Sequence, residues 1–321
     1  MKKSFLFILG VLLTFNLYSQ SFTQNTYENI DKFEPRWASS TMQGDDGSIF
    51  IAVNLLSVDK AAENTTRIMK MSEDGRIIET DYIELSGYSH YGFLPFFRHP
   101  YKENTNVYTY TTRNDGEIPV YNAVFFDNDL NILENVSKPL YDGKEIVYSE
   151  YESYLLDSEN NIIVRIGDGA DNRFVFVKMT IDGETLIQKE VVFETKRPIS
   201  GVPYHSLCVY NENPLQYAFV VETHENGYGL PQLSFMVLDS EFNVVEIKDE
   251  LLDVSYGKHE YNMIASENSY LTTTSDFSAG YVYNFANLVR LSKFDKNHKL
   301  IKEYEYKSKQ RDCFIPDARL M

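Results

Sequence analysis

The sequence predicts an all-β fold, a β-propeller with five visible four-stranded blades. Three observations lead to it: a strand–turn–strand pattern recurs about every 56 residues, a second pair of strands precedes each copy, and almost no segment has helical periodicity. The nearest helical candidate, Asp59 to Asn64, is too short to change this. Four strands in a unit of this length are typical of propeller blades.

The N-terminus has the pattern of a secretory signal peptide. Lys2 and Lys3 precede the apolar segment SFLFILGVLLTFNLY, and the small residue Ser19 follows it. This segment is shorter than the roughly 20 apolar residues of a transmembrane helix. We therefore expect residues 1–20 to be removed and the mature chain to be exported, as a periplasmic, secreted or surface-associated protein without stable membrane insertion.

Five hairpins define the repeat. One turn residue from each gives the period when these residues are taken as equivalent: Asp74, Asp129, Asp182, Glu241 and Asn297. Gly75 and Gly183 supply the positive φ that a tight turn needs, and we expect Asp or Asn to adopt it in the other turns. The turns are therefore expected to be structural.

The repeat predicts a single propeller domain over residues 21–321. The expected blades span approximately residues 37–86, 87–141, 146–195, 203–252 and 257–307. Residues 308–321 are expected to supply a closing strand, because an open sheet edge favours aggregation. Alternatively, they begin an incomplete blade of a truncated propeller with six or more blades.

The sequence resembles the secreted bacterial β-propeller repeat proteins, in which turns such as MSEDGRIIE and MTIDGETLI recur once per blade. This resemblance implies a bacterial, exported propeller and no particular activity. A repeated sialidase-type Asp box is excluded, because that motif needs a Trp in each copy and the chain holds one, Trp37.

The acidic composition narrows the choice of partners. The 47 Asp and Glu residues outnumber the 30 Lys and Arg residues, and the formal net charge is −17. Binding to nucleic acid needs clustered Lys and Arg, so we expect no nucleic-acid partner. A protein, peptide or glycan ligand stays open. Two states of the cysteines, Cys208 and Cys313, stay open: a disulfide formed in an oxidising compartment, or two free, partly buried thiols, which we expect.

No complete catalytic or metal-binding motif is found. The segment GDGADN (167–172) lacks the third Gly and the following helix of a dinucleotide fingerprint, so a β-turn is expected. Asp127, Asp129 and Asn131 start like a calcium loop, but Lys138 stands where that loop needs a bidentate Glu. We therefore expect a hairpin turn there, and neither a cofactor nor a metal in the protein.

The segments between blades carry the candidate site. In a propeller these connections lie on one face around the central channel, so their residues converge, and three of the six histidines fall there beside tyrosines. The candidate ligand-binding residues at this channel mouth are Arg36, Trp37, His90, Tyr151, Tyr204, His205 and His259. They suit aromatic stacking with a carbohydrate or peptide, or histidine coordination. Repeated packing of each His against a neighbouring blade explains the same recurrence.

Two functions follow from these observations. We expect a non-enzymatic, exported binding or interaction module, because the chain shows no complete catalytic motif. The alternative is an extracellular glycan-active enzyme, a hydrolase or lyase, that uses channel-mouth His, Tyr and carboxylates as acid and base. Two carboxylates at glycosidase separation, or a His–Tyr pair, inside one deep pocket would favour the enzyme.

Overall fold

The computed structural model shows an all-β chain. It describes residues 33–44, 47–57, 64–71, 82–86, 91–93, 96–112, 119–141, 152–167, 170–201, 207–224, 232–253, 261–277 and 286–307. These residues form five antiparallel sheets in two compact units, Met1–Gly87 and Tyr88–Met321. The predicted fold class, a β-propeller with five four-stranded sheets, is confirmed. Residues 308–321, expected to close the ring or to begin a further blade, lie outside the described part.

The first unit holds the first sheet. Its strands are β1 (Phe33–Gln43), β2 (Ile49–Ser57), β3 (Asn64–Met71) and β4 (Ile83–Ser86). They are hydrogen-bonded in chain order, which is the strand order of a propeller blade. Phe50, Ala52 and Ile68 are fully buried and form its apolar centre.

The second unit holds four described sheets. The second sheet contains β5 (Tyr91–Phe93), β6 (Phe97–Arg98), β7 (Asn106–Thr112), β8 (Val120–Phe126) and β9 (Ile132–Pro139). The third contains β10 (Glu152–Leu156), β11 (Ile162–Ile166), β12 (Arg173–Met179) and β13 (Thr185–Val192). Between β11 and β12, Ala170–Asn172 form one 3-10 turn.

The fourth and fifth sheets complete this unit. The fourth contains β14 (Ile199–Gly201), β15 (Cys208–Glu212), β16 (Leu215–Thr223), β17 (Gln232–Asp239) and β18 (Val244–Asp253). The fifth contains β19 (Tyr261–Ala265), β20 (Ser269–Phe277), β21 (Ala286–Asp295) and β22 (Leu300–Lys307). The short strands β5 and β6 both pair with β7, and β14 and β15 both pair with β16. Each such pair therefore acts as one interrupted first strand of a four-stranded sheet.

Apolar side chains on both faces of the central strands hold successive sheets of this unit together. In β11, Ile162, Val164 and Ile166 pack with the second sheet, whereas Ile163 packs with the fourth. A strand buried on both faces is mostly apolar, which explains four of the five residues of the run IIVRI; the fifth, Arg165, is a buried cation. The fourth and fifth sheets share a third buried cluster that includes Tyr270.

The hairpins close through five-residue bulged turns. In the turn that begins at Asp239, the N–H of Asp239 donates to the carbonyl of Asn243, and the N–H of Phe242 donates to the carbonyl of Asp239. The same two bonds occur in the turns that begin at Asp127, Asp157, Thr180 and Asp295. Asp129, Asp182, Glu241 and Asn297, which the repeat equates, are each the third residue of such a turn. The hairpin turn predicted at Asp127 in place of a calcium loop is thus confirmed.

The prediction that Asp or Asn would adopt the positive φ of these turns is wrong for three of them. Gly183 has φ 80°, as expected, but Leu130, Phe242 and His298 have φ 63°, 60° and 60°. The first residue of the turn explains this tolerance. In the fourth sheet, Oδ1 of Asp239 accepts hydrogen bonds from two backbone N–H groups inside the turn, at 2.9 and 2.8 Å. These bonds fix the loop whatever residue occupies its fourth position.

Replacing Asp239 by alanine is expected to lower the free energy of unfolding by about 1–2 kcal/mol, because both N–H groups lose their side-chain acceptor. Asp239→Asn keeps an acceptor oxygen and should retain most of that stability. Burial alone would raise the pKa of Asp239, but the hydrogen bonds from Asn243 and Glu241 outweigh it and hold the pKa below 3.8. The stability that the ionised Asp239 carboxylate contributes is therefore present above about pH 4, and it is lost as the pH falls through the pKa of Asp239 in the folded state. Urea unfolding of both variants at neutral and acidic pH measures it, and a loss from Asp239→Ala that is independent of pH would contradict the account.

The two ends of each sheet differ. Connections between the first and second strands, and between the third and fourth, lie at one end, here called the turn end. Connections between the second and third strands, and those leading to the next sheet, lie at the other end, here called the loop end. In the fourth sheet, Gln216 opposite Asp239 marks the turn end, and Thr223 opposite Gln232 marks the loop end.

Candidate functional site

The sequence predicts seven channel-mouth residues in the connections between sheets. Five of them fall outside the described ranges: His90, Tyr151, Tyr204, His205 and His259. Arg36 and Trp37 lie in β1, where the backbone alone is described. The role of all seven residues stays a prediction, and a site has to be built from other residues.

Three histidines are described, and two of them lie at the turn end. Nδ1 of His99 accepts hydrogen bonds from the backbone N–H groups of Tyr101 and Lys102, at 3.1 and 3.2 Å. Burial, and then the Lys102 ammonium group, lower the pKa of His99 below its usual 6.5, although Asp182 opposes the shift. His99 is therefore a neutral, structural residue at neutral pH.

A His–Tyr pair does occur, and it lies at the turn end of the fifth sheet. The hydroxyl of Tyr270 is 2.8 Å from Nδ1 of His298, whose Nε2 is 2.8 Å from a carboxylate oxygen of Glu246. Tyr270 is buried and stacks between Phe235 and Phe294. Burial raises its pKa, so the phenol stays protonated. The three side chains join the fourth and fifth sheets.

The third histidine, His224, lies at the loop end beside a carboxylate. Glu222 is the second-last residue of β16, and His224 follows that strand. Side chains two residues apart on a strand point to the same face. Nε2 of His224 is 2.7 Å from Oε1 of Glu222, and the two side chains are 19% and 17% exposed. This half-buried carboxylate–imidazole pair is the candidate site.

The hydrogen bond fixes the tautomer of His224. A carboxylate can only accept, so the proton of a neutral ring must lie on Nε2, and Nδ1 carries the lone pair. Within the described part of the chain, no hydrogen bond to Nδ1 is found. A neutral imidazole oriented by a carboxylate can take a proton from a substrate or a water molecule, and the resulting imidazolium can return it.

The residue between the two members of the pair anchors them. Thr223 points to the opposite face and is buried. Its hydroxyl donates to the carbonyl oxygen of Gln232 at 3.2 Å and lies 3.3 Å from the hydroxyl of Ser234. The backbone N–H of His224 donates to the carbonyl of Pro198 at 3.1 Å. The backbone that carries the pair is thus held from two sides.

Cys208 offers no competing chemistry. It is a free and buried thiol, and burial raises its pKa to about 12. A thiol of this kind is not a nucleophile at neutral pH. Its possible partner, Cys313, lies outside the described residues.

No metal centre is found among the described side chains: no three or more His, Cys, Asp and Glu residues are grouped to hold an ion. Nor does any helix in the described ranges have the length and apolarity to cross a membrane.

The comparisons with known proteins find similar solved structures. Neither a family model nor a curated protein sequence matches the chain. Similar solved structures include an α-L-arabinofuranosidase from Clostridium thermocellum, with 10% identity, a TM-score of 0.42 and coverage of 88% of this chain and 95% of that one. The GH43_1 enzyme from Xanthomonas citri has 10% identity and a TM-score of 0.42, over 84% and 92% of the two chains. A DUF4623 family protein from Bacteroides eggerthii has 13% identity and a TM-score of 0.42, over 84% and 60%.

This finding overturns one prediction from the sequence. Two of the similar structures are named as an α-L-arabinofuranosidase and a GH43_1 enzyme, and the prediction of a non-enzymatic binding module is wrong against them. The predicted resemblance to bacterial β-propeller proteins agrees with the comparison in its coarse form. At such identities and TM-scores, no residue role is transferred from these structures to this chain.

The sequence analysis missed the Glu222–His224 pair. Its signal was the spacing Glu-x-His at the polar end of the apolar strand QYAFVV. Two polar, ionisable residues with a spacing of two share one strand face, and here they follow four buried residues, Ala218 to Val221. The search for recurring histidines passed over this one, because it lies after the second strand of its sheet and not in a connection between sheets.

Proposed function

We propose that the protein is an exported, glycan-active enzyme, a hydrolase or lyase, whose site lies at the loop end and uses Glu222 and His224 as its acid–base pair. One observation carries this proposal: a half-buried imidazole bound to a carboxylate at 2.7 Å, at the end of the sheet from which the connecting segments leave. Proton transfer by a positioned side chain contributes about 100- to 10,000-fold to such reactions.

In hydrolysis, Nδ1 of His224 would take a proton from the attacking water, whose oxygen bonds the anomeric carbon while the bond from that carbon to the leaving oxygen breaks. The leaving oxygen would take its proton from a water molecule, and His224 would then release its own proton to solvent. In elimination, the same nitrogen would take the proton next to the uronate carboxylate, the bond to the leaving oxygen would break and a double bond would form. Glu222 would stabilise the imidazolium in both cases. The formal charge of −17 disfavours polyanionic chains, so hydrolysis of a neutral glycan is the preferred form of the proposal.

The sugar-binding surface would come from the connections at the same end. The residues predicted there include Tyr151 and Tyr204, whose rings suit stacking on the apolar face of a sugar. Export is supported by the signal-peptide pattern in residues 1–20.

The proposal predicts that His224→Gln lowers kcat/KM about 100-fold or more on a glycan that the native chain cleaves, with little change in KM. The Gln side chain keeps a hydrogen-bond donor towards Glu222 but cannot act as a general acid or base. Glu222→Gln should also lower kcat/KM. The native chain is first assayed on xylan, arabinan, β-glucan and polygalacturonate, with reducing ends reporting hydrolysis and ultraviolet absorbance reporting the unsaturated product of a lyase.

Asp253→Asn is the matched control. Asp253 is an exposed carboxylate at the same end of the same sheet, and its Oδ1 accepts a hydrogen bond from Gln232 at 2.7 Å. This variant should keep the native kcat/KM. Full activity in His224→Gln, or an equal loss in Asp253→Asn, would show that the pair is not the acid–base group.

A further inference from the structure

Asn172 occupies an unusual backbone position at the loop end of the third sheet. It is the last residue of the 3-10 turn between β11 and β12, in the segment GDGADN. Asp171 and Asn172 have φ 56° and 57°, so two consecutive residues other than glycine are left-handed. This conformation costs energy for L-residues, and Asn tolerates it better than most.

The side chain and carbonyl of Asn172 bind the segment that leads from the third sheet to the fourth. Its carbonyl oxygen accepts a hydrogen bond from the N–H of Phe193 at 2.9 Å. Its Nδ2 donates to the hydroxyl oxygen of Thr195 at 3.0 Å, and its Oδ1 accepts from the N–H of Ile199 at 2.9 Å. The amide is thus used as both donor and acceptor, which neither Asp nor Leu could do.

The far end of this segment contacts the candidate site. Ile199 lies opposite Thr223 in the pairing of β14 with β16. The carbonyl of the preceding residue, Pro198, accepts the backbone N–H of His224. The bond from Asn172 and the bond to His224 are therefore one residue apart on the same short piece of chain.

From this arrangement we infer that Asn172 is a positioning residue for the Glu222–His224 pair, an inference that rests on the proposed function. Asn172 holds Pro198 and Ile199 against β16, and they hold the backbone of His224. The imidazole then keeps one orientation, with Nε2 on Glu222 and the lone pair on Nδ1. Without the amide, the segment can move away from β16 and the pair loses its fixed geometry.

The test is Asn172→Gly in the full chain. Glycine adopts φ near 57° without strain, so this variant removes the side-chain bonds and spares the turn. Spectra of 15N-histidine-labelled protein, with the His224 signals assigned through His224→Gln, report the tautomer directly. Native protein should show one tautomer with the proton on Nε2, and Asn172→Gly should show a mixture. On a glycan that the native chain cleaves, kcat should fall about tenfold with little change in KM.

Asn160→Gly is the matched control. Asn160 lies in the same sheet with φ 62°, but at the turn end. This variant should leave the His224 spectrum and kcat unchanged. An unchanged His224 spectrum in Asn172→Gly, or the same change in both variants, would overturn the inference. The spectrum is decisive without any activity: full activity in His224→Gln would refute the proposed function, whereas a native tautomer pattern in Asn172→Gly would refute the positioning role.

Discussion

Asp157→Ala is expected to lower the free energy of unfolding by about 3–5 kcal/mol, as when one partner of a buried ion pair is removed. Asp157 begins the turn between β10 and β11, and its side chain is fully buried. Oδ1 accepts the N–H groups of Glu159 and Asn161 at 3.0 and 2.8 Å. Oδ2 accepts the hydroxyl of Tyr217 at 2.8 Å and lies 3.7 Å from Nζ of Lys178. One carboxylate thus closes a turn, joins two sheets and, together with the carboxylate of Glu159 at 3.2 Å, neutralises the buried cation of Lys178.

Comparing the stability loss of Asp157→Ala with that of Asp239→Ala isolates the effect of the buried ion pair. Asp239 forms the same turn bonds, but it accompanies no buried lysine, so its loss should be about 1–2 kcal/mol. In the double variant Asp157→Ala/Lys178→Met, part of the lost stability should return, because no charge is left in the core. Chemical unfolding of the variants measures these differences. Equal losses for Asp157→Ala and Asp239→Ala would contradict the assigned role of the ion pair.

Arg165→Ala is expected to cost a similar amount, about 3–5 kcal/mol, mainly through lost packing. Arg165 is fully buried in β11 between the third and fourth sheets. Its guanidinium carbon lies 5.6 and 5.1 Å from the ring centres of Phe174 and Phe219, and Nη2 donates to the hydroxyl of Ser153 at 2.7 Å. Burial lowers the pKa of Arg165 to about 9, because its surroundings solvate the charge poorly.

Arg165→Met separates packing from charge. Methionine fills most of the same volume without a cation to desolvate, so this variant should lose less than half as much stability as Arg165→Ala. Thermal unfolding of the two variants under one set of conditions makes the comparison. If Met were as destabilising as Ala, the charge and its hydrogen bonds, and not the packing beside Phe174 and Phe219, would be the main contribution.

The strand and sheet pattern could be predicted from the sequence because it repeats. Turn residues such as Asp129, Asp182 and Glu241 recur at one interval, and each proves to be the third residue of its turn. The residue that fixes the turn lies two positions earlier. In the fourth sheet this residue is Asp239, and Asn243, four residues later, donates a side-chain hydrogen bond to it; this Asp–Asn spacing was the sequence signal for the turn. The positive φ of Phe242 was not predictable from local preference, since the side chain of Asp239 fixes the loop around it.

The site was harder to predict because it does not repeat. A search for recurrence finds His90, His205 and His259, whereas the Glu222–His224 pair occurs once, on one strand face. Nor could sequence show that Asn172 is linked to His224, because the link runs through backbone hydrogen bonds at Ile199 and Pro198. Contacts between sheets depend on how the sheets pack, and a single sequence does not specify that packing.

The most direct test of the acid–base pair is a double-mutant cycle. Values of kcat/KM are measured for the native chain, Glu222→Gln, His224→Gln and the double variant, on one glycan that the native chain cleaves. If the two side chains act as one unit, the double variant should lie within about threefold of His224→Gln. The opposite result, in which the two losses multiply or neither substitution lowers kcat/KM, would contradict a shared acid–base role at the loop end.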